Sequence, residues 1–212
     1  MYITLDTETT GFSPKNNDRI VEIAAVLYDN GREINTFHSL INPQRSIPQQ
    51  AHNVHGLGSK ELKNAPTFKT IANDLAAFLA QCDSWAHNAP FDNRFLAFEF
   101  ENANVSWKQP AQCSLKLAKT CVPGPHKLET LAAQSGWTWT GRGAHSAIED
   151  ARALGFILPW LWSKEPKQKT QTPSNARLFT APKNKPNTNN LDPRITEIPE
   201  SFPLHNHGKP WT

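Results

Sequence analysis

Two apolar segments near the start of the chain predict the centre of a β-sheet. Residues 1–8 and 20–28 are rich in Ile, Val and Leu, and both are short enough to be buried strands. Asn30-Gly31 follows the second segment, and this dipeptide is typical of a tight hairpin turn leading into a third strand at residues 33–42. The beginning of the chain therefore has to fold around a sheet.

Helical periodicity dominates the middle of the chain. A stripe of apolar residues predicts a helix at 67–81, and Gly136 is placed to end a later one as a C-cap. The other elements we expect are a strand at 85–87 and helices at 90–101, 113–121, 127–134 and, after the capping-box pattern Ser146 to Glu149, 151–158. Strands followed by alternating strands and helices indicate an α/β fold, with a central mixed sheet flanked by helices.

The pattern changes near residue 163. The 212 residues suffice for one globular domain with a full core. From residue 163 onward there are eight prolines, many Asn, Thr and Lys, and no sustained periodicity. We therefore expect a domain at residues 1–163 and a basic, extended tail at 164–212.

Charge and cysteine content exclude some simple interpretations. Residues 164–212 carry eight Lys or Arg against four Asp or Glu, whereas residues 1–163 carry 14 against 15. The domain has no basic surplus that would by itself indicate nucleic-acid binding. Three cysteines without metal-ligand spacing predict reduced thiols in a cytoplasmic protein. No secretory signal or membrane-spanning run is visible, so we expect no membrane partner.

Asp6 and Glu8 lie two residues apart on the first predicted strand, so their carboxylates project from the same face. The alternative is a solvated edge strand, but the apolar neighbours Ile3 and Leu5 favour a core strand. Two acids side by side near a core repel each other unless a cation neutralises them.

Two further segments place acids near helix starts. Asp92 follows Pro90 in a first helical turn, where the macrodipole alone could explain an aspartate. If Ser146 is an N-cap, His145 lies just outside the last helix and Asp150 lies in its first turns. A histidine there suits a general base, although a surface histidine beside a cap is the simpler alternative.

The motifs occur together and in a recognisable order. They are Asp-Thr-Glu-Thr-Thr-Gly (6–11), Val-His-Gly-Leu (54–57), His-Asn-Ala-Pro-Phe-Asp (87–92) and His-x4-Asp (145–150). This set closely resembles the DEDDh exonuclease family, over roughly residues 2–162. The resemblance implies a ribonuclease H-like fold and hydrolysis of phosphodiester bonds from 3′ ends, which releases nucleoside 5′-monophosphates.

The resemblance also implies the roles of individual residues. The four acids would bind two Mg²⁺ ions, which Mn²⁺ can replace, and His145 would act as the general base. The acids concerned are Asp6, Glu8, Asp92 and Asp150. Carboxylate oxygens suit these hard cations, and two ions about 3.5–4 Å apart can stabilise both the attacking and the leaving oxygen.

Around the terminal nucleotide, the resemblance also implicates Thr9, Gln50 and His55, and we add Phe91 because it lies beside Asp92. The family often has Glu where Gln50 stands, and Gln retains a donor and an acceptor. Phe91 could stack on a base or belong to the core. We assign no role to His52 or His87, and expect the tryptophans, including Trp137 and Trp139, to pack rather than stack on bases.

The same reaction could act on either of two substrates. The leading prediction is DNA, with single-stranded 3′ ends, in proofreading, repair or phage replication; the alternative is an enzyme that trims RNA 3′ ends. An inactive binding module is a third possibility, and it is disfavoured because all five catalytic positions are filled. The basic, Pro-rich tail could contact a polymerase or clamp, or could simply be solvated.

Overall fold

The computed structural model describes residues 1–140 and 145–164. The strands of these residues are Tyr2–Thr9 (β1), Ile20–Asp29 (β2), Arg32–Leu40 (β3), Ser84–Ala86 (β4) and Gln112–Cys113 (β5). They form one mixed sheet in the order β3-β2-β1-β4-β5. The β1–β2 and β2–β3 pairs are antiparallel, whereas β1–β4 and β4–β5 are parallel. The predicted mixed sheet is confirmed, and β1 is its central strand.

The hairpin between β2 and β3 forms where the sequence places it. Asn30 and Gly31 have φ angles of 48° and 76°, so both residues adopt the left-handed conformation that this dipeptide tolerates. The third strand ends at Leu40, two residues earlier than predicted, and Ile41 is buried beyond it.

The helices surround the sheet. Within the described residues they are Gln49–His55 (α1), Ser59–Leu62 (α2), Phe68–Leu79 (α3), Pro90–Ala103 (α4), Ser114–Cys121 (α5), Leu128–Ser135 (α6) and Ala147–Lys164 (α7), with a 3₁₀ turn at Pro14–Asn16. Gly136 ends α6 in the left-handed conformation, as predicted. Neither α1 nor α2 was predicted, because both helices are too short to show a periodic apolar stripe. The predicted helix start at Cys113 was wrong because that residue pairs with Ala86 in β5.

Each face of the sheet packs against different helices. Ile3 and Leu5 of β1 point to the face covered by α3 and α4, in a core that includes Phe95 and Phe100. The opposite face is covered by α7. The side chains in that second core are Tyr2, Ala24, Val26, Tyr28, Ala147, Ala151 and Leu158.

Hydrogen bonds and close packing fix α7 against β1. Pro159 lacks the N–H that would bond to the carbonyl of Gly155, and the Tyr2 hydroxyl donates to this carbonyl instead, at 3.1 Å. Burial raises the pKa of Tyr2 to about 12, which keeps the hydroxyl protonated as a donor. The hydroxyl of Thr4 donates to the Ala151 carbonyl at 2.7 Å.

The close packing of α7 against Tyr28 requires glycine at position 155. A Cβ atom at Gly155 would overlap the ring of Tyr28, which stacks on Tyr2 with ring centroids 5.2 Å apart.

No helix of residues 1–140 or 145–164 is long and apolar enough to cross a membrane. The predicted tail, apart from Lys164, lies outside the described residues.

We expect Gly155→Ala to destabilise the protein by about 1–3 kcal/mol, because the added methyl group overpacks the core against Tyr28. An unobstructed Gly-to-Ala change inside a helix would have the opposite sign. Urea unfolding of both single variants and the double variant with Tyr28→Ala measures the coupling. A more stable Gly155→Ala protein would contradict this account of the packing.

Candidate active site

Asp6 and Glu8 occupy the carboxyl end of β1, on the face that α7 covers. Asp6 is partly buried and Glu8 is buried. Both alternate with apolar or hydroxyl side chains that point to the other face, as expected for a strand of period two. The prediction of a core strand rather than a solvated edge strand is confirmed.

Asp92 reaches the same end of β1 from α4. Because β4 runs parallel to β1, the chain leaves β4 beside the carboxyl end of β1 and enters α4 at Pro90. The carboxylate of Asp92 is buried, and its Oδ1 accepts a hydrogen bond of 2.8 Å from the hydroxyl of Thr7. The parallel pairing thus brings residues far apart in sequence together.

Asp150 and His145 come from the start of α7. The helix begins at Ala147, as the capping pattern predicted, and His145 precedes it with φ of 65°. The backbone N–H of His145 donates to Asp150 Oδ2 at 3.1 Å. The imidazole is about half exposed, with Nε2 3.8 Å from Glu129 Oε1. The histidine therefore stands at the rim, above a buried carboxylate.

The geometry brings three of the five predicted residues within reach of one cation. Ligand atoms of Glu8, His145 and Asp150 lie within 4.8 Å of one another. Asp6 lies close enough to Asp92, Asp150 and Glu8 for their charges to raise its pKa.

Burial disfavours the charged forms of Asp6, Asp92 and Asp150, and neighbouring negative charges add to this effect at Asp6 and Asp150. Burial, followed by the negative charges around it, raises the pKa of Asp6 well above its usual range. Burial also raises the pKa of Asp92 and of Asp150 to about 7. Carboxylates that repel one another in a low-dielectric site are the oxygen donors that a hard divalent cation prefers. The residues present fit such a cation.

A fifth acid, Glu22, lies beside the site and was not predicted from the sequence. It is fully buried on β2, pairs with Glu8 across the antiparallel strands and faces the same side. Like charges directly opposite each other destabilise a sheet unless something compensates them. The available signal was that Glu22 is the single charged residue in the apolar run 20–28.

A cleft of about 600 Å³ opens beside Glu8. All four predicted substrate-binding residues line it: Thr9, Gln50, His55 and Phe91. Nδ1 of the buried His55 accepts the N–H of Leu57 at 3.0 Å, so the proton of the neutral ring resides on Nε2. Phe91 also packs against the core and against Phe95, as the core interpretation predicted, and its stacking on a base stays a prediction.

One wall of the cleft is a loop that the sequence analysis did not single out. Phe12 is 82% exposed there, an unusual position for a large apolar ring. Asp18 shapes this loop by accepting hydrogen bonds from the hydroxyl of Thr10, the N–H of Ser13 and, at 3.1 Å, the guanidinium of Arg45. No periodicity marks a loop residue, so Phe12 could be found only from its exposure.

The histidines without an assigned role are structural. His87 bonds through one ring nitrogen to the hydroxyl of Ser114 and through the other to the carbonyl of His126. His52 bonds to the carbonyl of Leu57 at 3.1 Å. Trp137 and Trp139 pack against the core between α5, α6 and α7, which agrees with the expectation of packing.

Comparison with known proteins assigns the family. The sequence profile described as Exonuclease matches residues 3–158. The chain belongs to the exonuclease family. DNA polymerase III subunit epsilon of Rickettsia prowazekii (strain Madrid E) is 38% identical over 165 residues, which cover 73% of this chain and 71% of that protein. The epsilon subunit of Buchnera aphidicola subsp. Acyrthosiphon pisum (strain APS) is 39% identical, with coverage of 73% and 70%.

Solved structures agree with this assignment. Exonuclease X in complex with 5′ overhanging duplex DNA is 25% identical, with a TM-score of 0.62 over 77% of this chain and 92% of that chain. The nuclease domain of 3′hExo, described as a DEDDh family member bound to rAMP, shares the fold, with a TM-score of 0.65 at 16% identity over 76% and 91%. The exonuclease is thus of the DEDDh 3′→5′ type with a ribonuclease H-like fold, a type that implies divalent metal ions.

The raised pKa values predict how stability depends on pH. Between the ordinary aspartate pKa of about 4 and about 7, folded metal-free protein holds protons on Asp92 and Asp150 that the unfolded chain has lost. The free energy of unfolding therefore falls as pH rises through this window and stays low above it. We expect Tm in EDTA to fall by several degrees from pH 5 to 8, at about 2–4 °C per kcal/mol.

Saturating Mg²⁺ should remove most of that fall, because a cation binds the charged carboxylates and displaces their protons. Scanning fluorimetry with EDTA or Mg²⁺ across the pH range measures both curves. Asp92→Asn in EDTA should show a shallower dependence than wild type. Equal slopes with and without Mg²⁺ would contradict the assignment of these acids to a cation site.

Proposed function

We propose that this exonuclease hydrolyses the terminal phosphodiester bond of DNA with two Mg²⁺ ions and releases nucleoside 5′-monophosphates. Four residues would hold the ions: Asp6, Glu8, Asp92 and Asp150. The observation that carries the proposal is their convergence at one end of β1, with raised pKa values at Asp6, Asp92 and Asp150, beside a half-exposed histidine and a nucleotide-sized cleft. When bound, the ions would stabilise charge on the phosphate and lower the pKa of a water molecule.

His145 is the proposed general base. Its ring stands at the solvent-exposed rim, where it can take the proton of an attacking water and pass it to bulk solvent. Its backbone N–H is held by Asp150, so the residue that carries the base is tied to a proposed cation ligand. This link supports a shared role for the two residues.

The cleft is proposed to hold the terminal nucleotide. The Nε2–H of His55 is a donor in the cleft lining, and Gln50 can donate and accept toward the sugar hydroxyl. Phe91 and Phe12 present aromatic rings that could stack on bases. Stacking tolerates every base, which suits an enzyme that degrades a strand without reading its sequence.

DNA is favoured over RNA by the relatives. The two epsilon relatives at 38% and 39% identity are named as subunits of a DNA polymerase, and the 25% identical exonuclease X structure contains DNA. The fold neighbour bound to rAMP, at 16% identity, keeps RNA as the second candidate. Proofreading is the corresponding pathway, and association with a polymerase is the corresponding partner proposal.

A time course on matched DNA and RNA oligonucleotides, labelled at the 3′ or the 5′ end, tests the substrate and the direction. We expect loss of the 3′ label as mononucleotide, faster on DNA, with Mg²⁺ and not with EDTA. Asp6→Ala should reduce release to background because a cation ligand is lost. Equal background release from wild type and Asp6→Ala would support a binding module, and exclusive cleavage of RNA would overturn the DNA preference.

The same assay separates the base from a bystander histidine. His145→Gln should lower kcat by about 10²–10⁴-fold, the range for loss of a general base, with little change in KM. His52→Gln is the matched control, since His52 bonds to a backbone carbonyl near the cleft and has no role in the proposed chemistry. Similar losses in both variants would argue against His145 as the base.

The basic segment 164–212 remains a proposed contact to a polymerase, a clamp or the DNA backbone. Its surplus of four positive charges supports electrostatic binding, which weakens with salt. Removal of residues 165–212 should leave kcat on short oligonucleotides nearly unchanged and weaken binding to long DNA at low salt. Loss of activity on both substrates would instead make this segment part of the catalytic domain.

A further inference from the structure

We infer that Glu22 is a positioning residue for the proposed exonuclease site: with His38, it holds the first turn of α7 and thereby places Asp150 and His145. This inference rests on the proposed function of those two residues. Glu22 makes none of the proposed contacts to cation or substrate. It acts through the helix that carries them.

The environment of Glu22 demands a compensating contact. Its side chain has 0% exposure on a strand whose neighbouring residues are apolar. Burial of a carboxylate is costly unless hydrogen bonds or opposite charges satisfy it. The contacts of the two carboxylate oxygens therefore indicate what Glu22 does in the structure.

One oxygen of Glu22 contacts the start of α7. Oε2 accepts the backbone N–H of Ala147, the first residue of the helix, at 3.4 Å. The first N–H groups of a helix have no acceptor within the helix, and the positive end of the helix dipole attracts a carboxylate. Glu22 thus serves from β2 as an N-terminal cap for a helix that is 125 residues away in sequence.

The other oxygen contacts β3. Nε2 of His38 lies 2.8 Å from Glu22 Oε1, and the imidazole is partly exposed. The carboxylate is consequently held between a sheet strand and the helix. Rotation of the Glu22 side chain would cost both contacts, so its position is tightly defined.

The position of Ala147 makes this contact relevant to catalysis. His145 lies two residues before Ala147 and Asp150 lies three residues after it, in the same turn. A displacement of this turn would move the proposed base and a proposed cation ligand together. The negative charge of Glu22 also reaches Asp6 and Asp150, where it raises the pKa of each carboxyl.

Variants at this position separate positioning from general stability. Glu22→Ala should lower kcat by about 10–100-fold, the range for residues that orient metal ligands, and should weaken Mn²⁺ binding in parallel with little change in KM. Glu22→Gln, which keeps an acceptor for Ala147, should recover part of the loss. Glu33→Ala is the matched control, because Glu33 on β3 bonds to Arg152 of the same helix at 2.9 and 3.0 Å.

Two measurements on the full chain do not depend on activity. Calorimetric titration with Mn²⁺ reports affinity, and amide hydrogen exchange reports the order of residues 145–150. We expect both to change in Glu22→Ala and neither to change in Glu33→Ala. They remain informative if wild type degrades neither DNA nor RNA, an outcome that would refute the proposed function while leaving the placement of α7 testable.

His38→Ala provides a second test in case Glu22→Ala does not fold, since its ring is partly exposed. Its kcat and Mn²⁺ affinity should fall in the same direction as in Glu22→Gln. Wild-type kcat, Mn²⁺ affinity and exchange in both Glu22→Gln and His38→Ala would overturn the inference. A lower Tm with those three quantities unchanged would assign Glu22 a purely structural role.

Discussion

The repulsion among buried carboxylates at the end of β1 is the constraint around which the rest of this protein is organised. Burial of Asp6 and Glu8 is unfavourable without a compensating charge, and Glu22 adds a further negative charge opposite Glu8. The fold tolerates this arrangement because the cores on both faces of the sheet are otherwise apolar and well packed. The favourable packing of the sheet and its helices therefore offsets the local destabilisation caused by the acids of the proposed cation site.

Two features of the fold bring the remaining acids to Asp6 and Glu8 and so complete the proposed site. The parallel pairing of β1 with β4 delivers Asp92, and the packing of α7 across the sheet delivers Asp150. The second feature depends on two local details of α7. The absence of a side chain at Gly155 allows the helix to contact Tyr28, and the Gly155 carbonyl, which Pro159 leaves without its helical N–H donor, accepts a hydrogen bond from the Tyr2 hydroxyl. Residues far from the acids thus determine how far α7 lies from β1.

Much of this architecture could be predicted from the sequence because it follows local rules. Strand alternation placed Asp6 beside Glu8, and the capping pattern placed the start of α7 after Ser146. Glu22 was missed because periodicity reveals that a residue is buried but not which distant backbone group it meets. The helix at Gln49–His55 and the exposed Phe12 were missed for a related reason, since a seven-residue helix and a loop carry no repeating pattern.

The order of elements along the chain has a consequence for synthesis. The proposed ligands and base are spread from Asp6 to Asp150, and the last of them arrive with α7. Until that helix has left the ribosome and docked, the apolar face around Tyr2 and Val26 has no cover, and the acids lack their partners. A nascent chain without α7 would therefore expose an apolar sheet surface and would have no nuclease activity. Hydrolytic activity and burial of that surface would then arise in a single late folding event.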